Sequence, residues 1–139
     1  IGSLKYMDGA EKVRSIRRID AKHPFFSDRS RLLMVFNNII SNAVRYRDKW
    51  KDDSYLEIDI LVDETIACIK FSDNGIGIAK EYIGNVFKMF YRATTDSKGS
   101  GLGLYIVKSA VDKLQGTIQV ESDFGQGTTF SIEIPNLKR

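Results

Sequence analysis

The chain has 139 residues, a length that fits one domain and buries a core without disulfide or metal staples. Apolar residues make up 42% and charged residues 28%, a globular balance that excludes disorder as the default state. With 21 Lys+Arg against 18 Asp+Glu, the net charge is only +3 and both signs are interspersed, which argues against a nucleic-acid or membrane partner.

Residues 4 to 8 read as the end of a helix stopped by Gly9, so residues 1 to 11 are taken as an upstream helix or linker remnant and 12 to 139 as the domain. Lys12 to Ile19 reads as a basic strand. A break follows over Ala21 to Asp28, with Ser27 or Asp28 as N-cap of the next element. Residues 29 to 47 then form a long amphipathic helix, because Leu32, Phe36, Ile39, Ile40 and Ala43 recur at helical spacing. Tyr55 to Val62 and Thr65 to Ser72 alternate as strands around a tight turn at Asp63-Glu64. Ala79 to Phe90 reads as a short helix, and 91 to 101 as a small, polar, mobile stretch. A second amphipathic helix over Leu102 to Leu114 carries Leu104, Val107, Val111 and Leu114 on one stripe, and Gly116 stands as its C′ glycine. Strands over Thr117 to Ser122 and Thr128 to Ile134 close the chain around a turn at Gly125-Gln126-Gly127. The mixture predicts one α/β or α+β sandwich.

Cys68 is the one cysteine, so no internal disulfide forms and a reducing compartment is favoured. No apolar stretch approaches the roughly 18 residues of a membrane span, and no signal peptide is visible. A cytoplasmic domain that is not itself membrane-inserted is expected, and the start at Ile1-Gly2-Ser3 without Met suggests a piece of a longer protein.

Three features carry chemistry. At about 100° per residue, Asn38, Asn42 and Arg45 fall within roughly 60° of one another, nearly opposite the apolar stripe at Phe36. Two carboxamides and a guanidinium on one strip suit a metal–phosphate complex; the same strip serves equally as the solvated face of an amphipathic helix. Asp73-Asn74-Gly75-Ile76-Gly77 follows a strand directly. It reads either as a hairpin turn or as a buried acceptor for an exocyclic amine, with glycines admitting a ligand close to the backbone. Gly99-Ser100-Gly101-Leu102-Gly103-Leu104 opens a helix, where exposed N–H groups can cradle phosphate, and Arg92 and Lys98 add charge nearby. A flexible hinge is the alternative. It is neither a Walker P-loop nor a dinucleotide fingerprint. Gly125-Gln126-Gly127-Thr128-Thr129 by itself is an ordinary hairpin turn.

In this order the features resemble the nucleotide-binding boxes of the GHKL superfamily, most closely the catalytic ATP-binding domain of sensor histidine kinases. Asn38 to Tyr46 resembles the N box, Asp73 to Gly77 the first glycine box, Phe87 to Arg92 the F box and Gly99 to Leu104 the second glycine box. Gly127-Thr128-Thr129-Phe130 resembles the closing segment. The likeness implies a two-layer sandwich, with a mixed, mostly antiparallel sheet of about five strands and about three helices on one face.

The resemblance also implies roles. Asn42 would ligate Mg²⁺, Asn38 would line the same phosphate site, and Arg45 would meet the phosphates where the family commonly has Lys. Tyr46 would flank adenine and Asp73 would accept its amino group, in a pocket shaped by Gly75 and Gly77 with Thr129 near the adenine end. Residues 84 to 101 would form a lid anchored by Phe87 and Phe90, for which plain core packing is the alternative. Gly101 and Gly103 would present backbone donors to the phosphates, and Arg92, Lys98, Gly99 and Leu102 complete the ATP-binding set.

One position divides the superfamily. Gyrase, chaperone and mismatch-repair ATPases, and similarly the anti-sigma kinases, carry a water-activating Glu where this chain has Asn38. A carboxamide accepts no proton at neutral pH, which favours phosphoryl transfer to a protein histidine over hydrolysis. His23, the only histidine, precedes Pro24 in a segment unsuited to a helix. The acceptor is therefore expected on a separate dimerisation domain of the parent, with a response regulator downstream. A GHKL ATPase and a degenerate nucleotide- or partner-binding module are the alternatives. A nucleic-acid module built on Arg14, Arg17 and Arg18 lacks any stacking pattern.

Overall fold

The computed structural model describes residues 10–88 and 102–137. A 3-10 turn at Ala10–Lys12 leads into β1 (Val13–Ala21), followed by α1 (Arg29–Arg45), β2 (Ser54–Val62), β3 (Ile66–Asp73), α2 (Lys80–Ile83), α3 (Gly103–Lys113), β4 (Thr117–Asp123) and β5 (Gly127–Pro135). The five strands form one sheet in the order β1-β2-β3-β5-β4. Only β1 and β2 run parallel, joined by the α1 crossover that a parallel pair requires. The sheet is mixed and mostly antiparallel, as expected.

Alternation makes the two layers. Register sets Ile58 beside Phe71 and Phe71 beside Phe130, and likewise Ile60, Ile69 and Ile132 in the next row. These side chains meet Val35, Ile39 and Ala43 of α1 and Val107, Ala110 and Val111 of α3 in a single core. Each such aliphatic residue contributes about 1.5–3 kcal/mol through burial. Phe36 adds an edge-on contact to Phe71 at 5.1 Å between ring centroids. β1, by contrast, is exposed along nearly its whole length. Its Arg14 faces Asp53 at 2.9 Å, and Arg18 faces Glu57 and Asp59 at 3.3 Å each; exposed pairs of this kind add little stability.

Local chemistry sets the ends. Asp28 is the N-cap of α1, its carboxylate accepting the Arg31 N–H at 3.2 Å. The Asp63 carboxylate accepts the N–H groups of Thr65 and Ile66, both at 2.8 Å, and so closes the β2–β3 turn. Asn136 fastens the segment before α1: its amide donates to the Pro24 carbonyl at 2.9 Å and its oxygen accepts the Phe26 N–H at 2.9 Å. His23 lies exposed in that non-helical segment.

Two expectations need correction. Of the helix expected over Ala79 to Phe90, the described part, to residue 88, is helical only over Lys80–Ile83, with turns at 84–88. Ala79 offers no side-chain cap, and four residues are too few to sustain a helix without one. The expected C′ glycine of α3 is one position off. Gln115 takes the left-handed turn at φ 60; its N–H donates to the Asp112 carbonyl, and that of Gly116 to Val111, a Schellman closure. Gly116 is needed for another reason: a Cβ there would collide with the Glu133 carbonyl of β5.

Gly116→Ala is therefore expected to lower stability by about 1–3 kcal/mol in urea unfolding. Gly84→Ala, where a Cβ meets nothing within 4 Å, should stay within about 0.5 kcal/mol of wild type.

Candidate functional site

Asp73 is the last residue of β3 and stands two positions after the buried Phe71, so its side chain points to the helix-covered face. There it is largely removed from water. Its Oδ1 accepts two backbone bonds, from the Gly75 N–H at 2.9 Å and the Thr128 N–H at 3.2 Å. Oδ2 receives no donor among the described residues. Burial pushes the carboxyl up to about 6, against the pull of those two N–H groups and the Lys51 ammonium. Oδ2 therefore keeps lone pairs that can accept a further hydrogen bond.

The Asp73 loop is held by backbone packed on backbone. A Cβ at Gly75 would lie 2.6 Å from the Tyr46 carbonyl, and one at Gly77, at φ 74, would collide with the Asp123 carbonyl. Tyr46 caps α1, its N–H donating to the Asn42 carbonyl at 3.0 Å while its own carbonyl accepts the Ile76 N–H at 3.0 Å. The glycines thus let the C-terminus of α1 and the β4–β5 turn close on the loop. On the far side Ser122 Oγ accepts the Ile78 N–H and donates to the Gly127 carbonyl, each at 2.7 Å. A hydroxyl has one proton to give, so the Thr128 hydroxyl, 2.9 Å away, donates to Ser122.

Above this floor runs the polar strip of α1. Asn38 donates through Nδ2 to the Met34 carbonyl at 2.7 Å, while its Oδ1 lies 3.4 Å from where a Gly103 Cβ would stand. Gly103 is the first residue of α3, whose N-cap Leu102 makes no side-chain cap bond, so the N-terminal end of α3, with its uncapped amides, lies beside the strip. Asn42 and Arg45 follow on the same face, both half-buried. The strip therefore joins two regions distant in sequence: the start of α3 at its Asn38 end and the Asp73 loop at its Tyr46 end. Hard amide oxygens, a guanidinium and helix N-terminal amides form a donor set for a cation–phosphate group.

Not every expected residue joins this site. Phe87 packs edge-on to Phe130 at 6.3 Å between ring centroids and lies against the core. Thr129 turns to the opposite face of the sheet, where its hydroxyl bonds Ser72 at 3.3 Å; its neighbour Thr128 is the one that meets Asp73. Phe90, Arg92, Lys98, Gly99 and Gly101 lie outside the described residues. Thr128, Ser122 and Lys51 were not singled out from sequence. Strand alternation from Phe130 signals Thr128, whereas no pattern marks a lysine in an irregular segment.

Residues 27–138 match the model of the histidine kinase-, DNA gyrase B-, and HSP90-like ATPase family. Over 124 residues the chain is 37% identical to the autoinducer 2 sensor kinase/phosphatase LuxQ of Vibrio parahaemolyticus, covering 85% of this chain and 14% of that protein. The mycobacterial sensor histidine kinase MprB superposes with a TM-score of 0.76 at 24% identity, covering 94% of this chain and 88% of that one. Full-length ShkA in complex with AMPPNP gives a TM-score of 0.78 at 25% identity, covering 94% of this chain and 27% of that one.

The raised carboxyl has a consequence for stability. With its folded value at about 6 against about 3.9 unfolded, Asp73 takes up a proton on folding across that window. Its contribution favours folding below about pH 4 and is lost as pH rises through about 6. Asp73→Asn keeps an oxygen for both N–H donors. It should be as stable as wild type or up to about 3 kcal/mol more stable at pH 7, with a flatter slope between the two values in urea unfolding.

Proposed function

Because the chain belongs to the histidine kinase-, DNA gyrase B-, and HSP90-like ATPase family, we propose that the cleft between Asp73 and the α1 strip binds ATP with Mg²⁺. Within a longer sensor kinase, the γ-phosphoryl group then passes to a histidine on a separate dimerisation domain. The chain spans only 14% of LuxQ, so domains beyond this one supply the acceptor. The observation that supports the reading is the Asp73 carboxylate, with Oδ1 bonded by two N–H groups and Oδ2 without a donor among the described residues.

In this reading Oδ2 accepts the adenine amino group while Tyr46 flanks the base. Asn42 offers Mg²⁺ a neutral oxygen ligand, Asn38 lines the same region, and Arg45 meets phosphate charge. The α3 amides at Gly103 point toward the phosphates. Phe90, Arg92, Lys98, Gly99 and Gly101 belong to the same proposal. Held there, Mg²⁺ would supply positive charge to the phosphate oxygens during transfer. The protein's share is positioning and electrostatics: the acceptor imidazole nitrogen bonds the γ-phosphorus as its bond to the ADP oxygen breaks.

Asn38 decides between transfer and hydrolysis. Its amide nitrogen is already committed to the Met34 carbonyl, and its oxygen is no base at neutral pH. Position 38 offers water no activating base, so an ATPase of the chaperone type fits this strip poorly. His23, exposed beyond the N-terminal end of α1, lies away from the strip and is not the acceptor. Among the described residues no helix is long and apolar enough to cross a membrane; the proposed setting is cytoplasmic, with a response regulator receiving the phosphoryl group downstream.

Calorimetry with a non-hydrolysable ATP analogue and Mg²⁺ should give micromolar-range or weaker binding, reduced at least about tenfold by Asp73→Asn. Unchanged affinity in that variant would defeat the site. Joined to its parent's histidine-bearing helices, the domain should place radiolabel on histidine, and brisk hydrolysis by the isolated chain would instead favour the ATPase reading.

A further inference from the structure

Lys51 lies in the irregular segment between α1 and β2. Its ammonium donates to two backbone carbonyls, that of Asn74 at 2.9 Å and that of Gly125 at 3.2 Å. Those carbonyls belong to the two segments that grip Asp73. Asn74 directly precedes Gly75, whose N–H binds Oδ1; Gly125 stands three residues before Thr128, whose N–H binds the same oxygen. Asn74 itself cannot do this work, because its side chain is turned away to the Tyr55 N–H and the Asp53 carbonyl. One cation therefore spans both arms of the clamp.

The chemistry of the strap suits it to hold geometry. An ammonium bonded to carbonyls makes charge-assisted hydrogen bonds, stronger than neutral ones. Lys51 forms no ion pair among the described residues, so its charge is not cancelled by a neighbouring carboxylate. It favours the ionised form of Asp73, in which Oδ2 carries no proton and acts only as an acceptor.

We propose that Lys51 is a positioning residue for purine selection: by strapping residues 74 and 125 together, it aims Oδ2 of Asp73 at the exocyclic amino group of the base. The proposal rests on the nucleotide reading above. The 6-amino group is then recognised only as well as the carboxylate is held. Loss of the strap weakens that one contact, while the phosphate-binding strip on α1, built from a different element, is untouched.

The test compares two ligands in the presence of Mg²⁺, AMPPNP and the analogous triphosphate of purine riboside, which lacks the 6-amino group. Wild type should prefer AMPPNP by about tenfold. Lys51→Met should cut this preference about threefold or more while its affinity for the amino-less ligand changes little, and Lys51→Arg should restore most of it. Should Lys51→Met not fold, Lys51→Gln takes its place with the same expectation. Equal weakening of both ligands, or a preference unchanged in the variant, overturns the role of Lys51. A wild-type domain that binds both ligands alike defeats the Asp73 reading itself, and one that binds neither defeats the nucleotide site.

Discussion

Everything at this site depends on one largely buried carboxylate, Asp73, held through one oxygen by two backbone N–H groups while the other oxygen has no donor among the described residues. Burial of an ionisable group is costly, and Asp73 recovers part of that cost through two backbone N–H groups on a single oxygen. A domain selected only for stability would place an apolar residue at the end of β3, continuing the row of Ile58, Phe71 and Phe130. On the proposed reading, a bound donor offsets the penalty that the structure accepts here.

The surrounding elements make sense as supports of that position. β3 delivers the carboxylate to the helix side by simple alternation, and β5 brings Thr128 against it through register. Backbone from α1 and from the β4–β5 turn closes on the loop so tightly that side chains at 75 and 77 are excluded. Those glycines, which the sequence suggested as openings for a ligand, are in the first instance openings for the protein's own carbonyls. The strip of Asn38, Asn42 and Arg45 belongs to a helix docked on the same loop through Tyr46, so the two halves of the site meet there.

Much of this was legible beforehand, for physical reasons. Seventeen residues of α1 announce themselves through helical spacing and the Asp28 cap, and four of the strands through alternation. Asp73 stood out because an Asp-Asn-Gly-Ile-Gly run directly after a strand reads either as a turn or as an acceptor with glycines that admit a ligand, and its place among the other boxes favoured the second. What escaped notice depends on long-range contact. Threonines at 128 and 129 are indistinguishable until strand phase is known, and a one-residue difference moves a side chain to the other face. The Gln115 turn reverses the usual preference because the crowding at Gly116 comes from β5, seventeen residues further along the chain. Lys51 carries no local mark, since both carbonyls that it holds come from other parts of the chain.

β1 has a mechanical consequence of its own. It enters the sheet at the outer edge and stays in register with β2 over nine residues, from Val13 beside Ser54 to Ala21 beside Val62. Traction applied along this strand from its upstream end loads the whole ladder in shear, so the rungs resist together instead of peeling one by one. Torque or tension arriving at Val13 is thereby delivered to the body of the sheet, and through β2 to the strand that ends in Asp73.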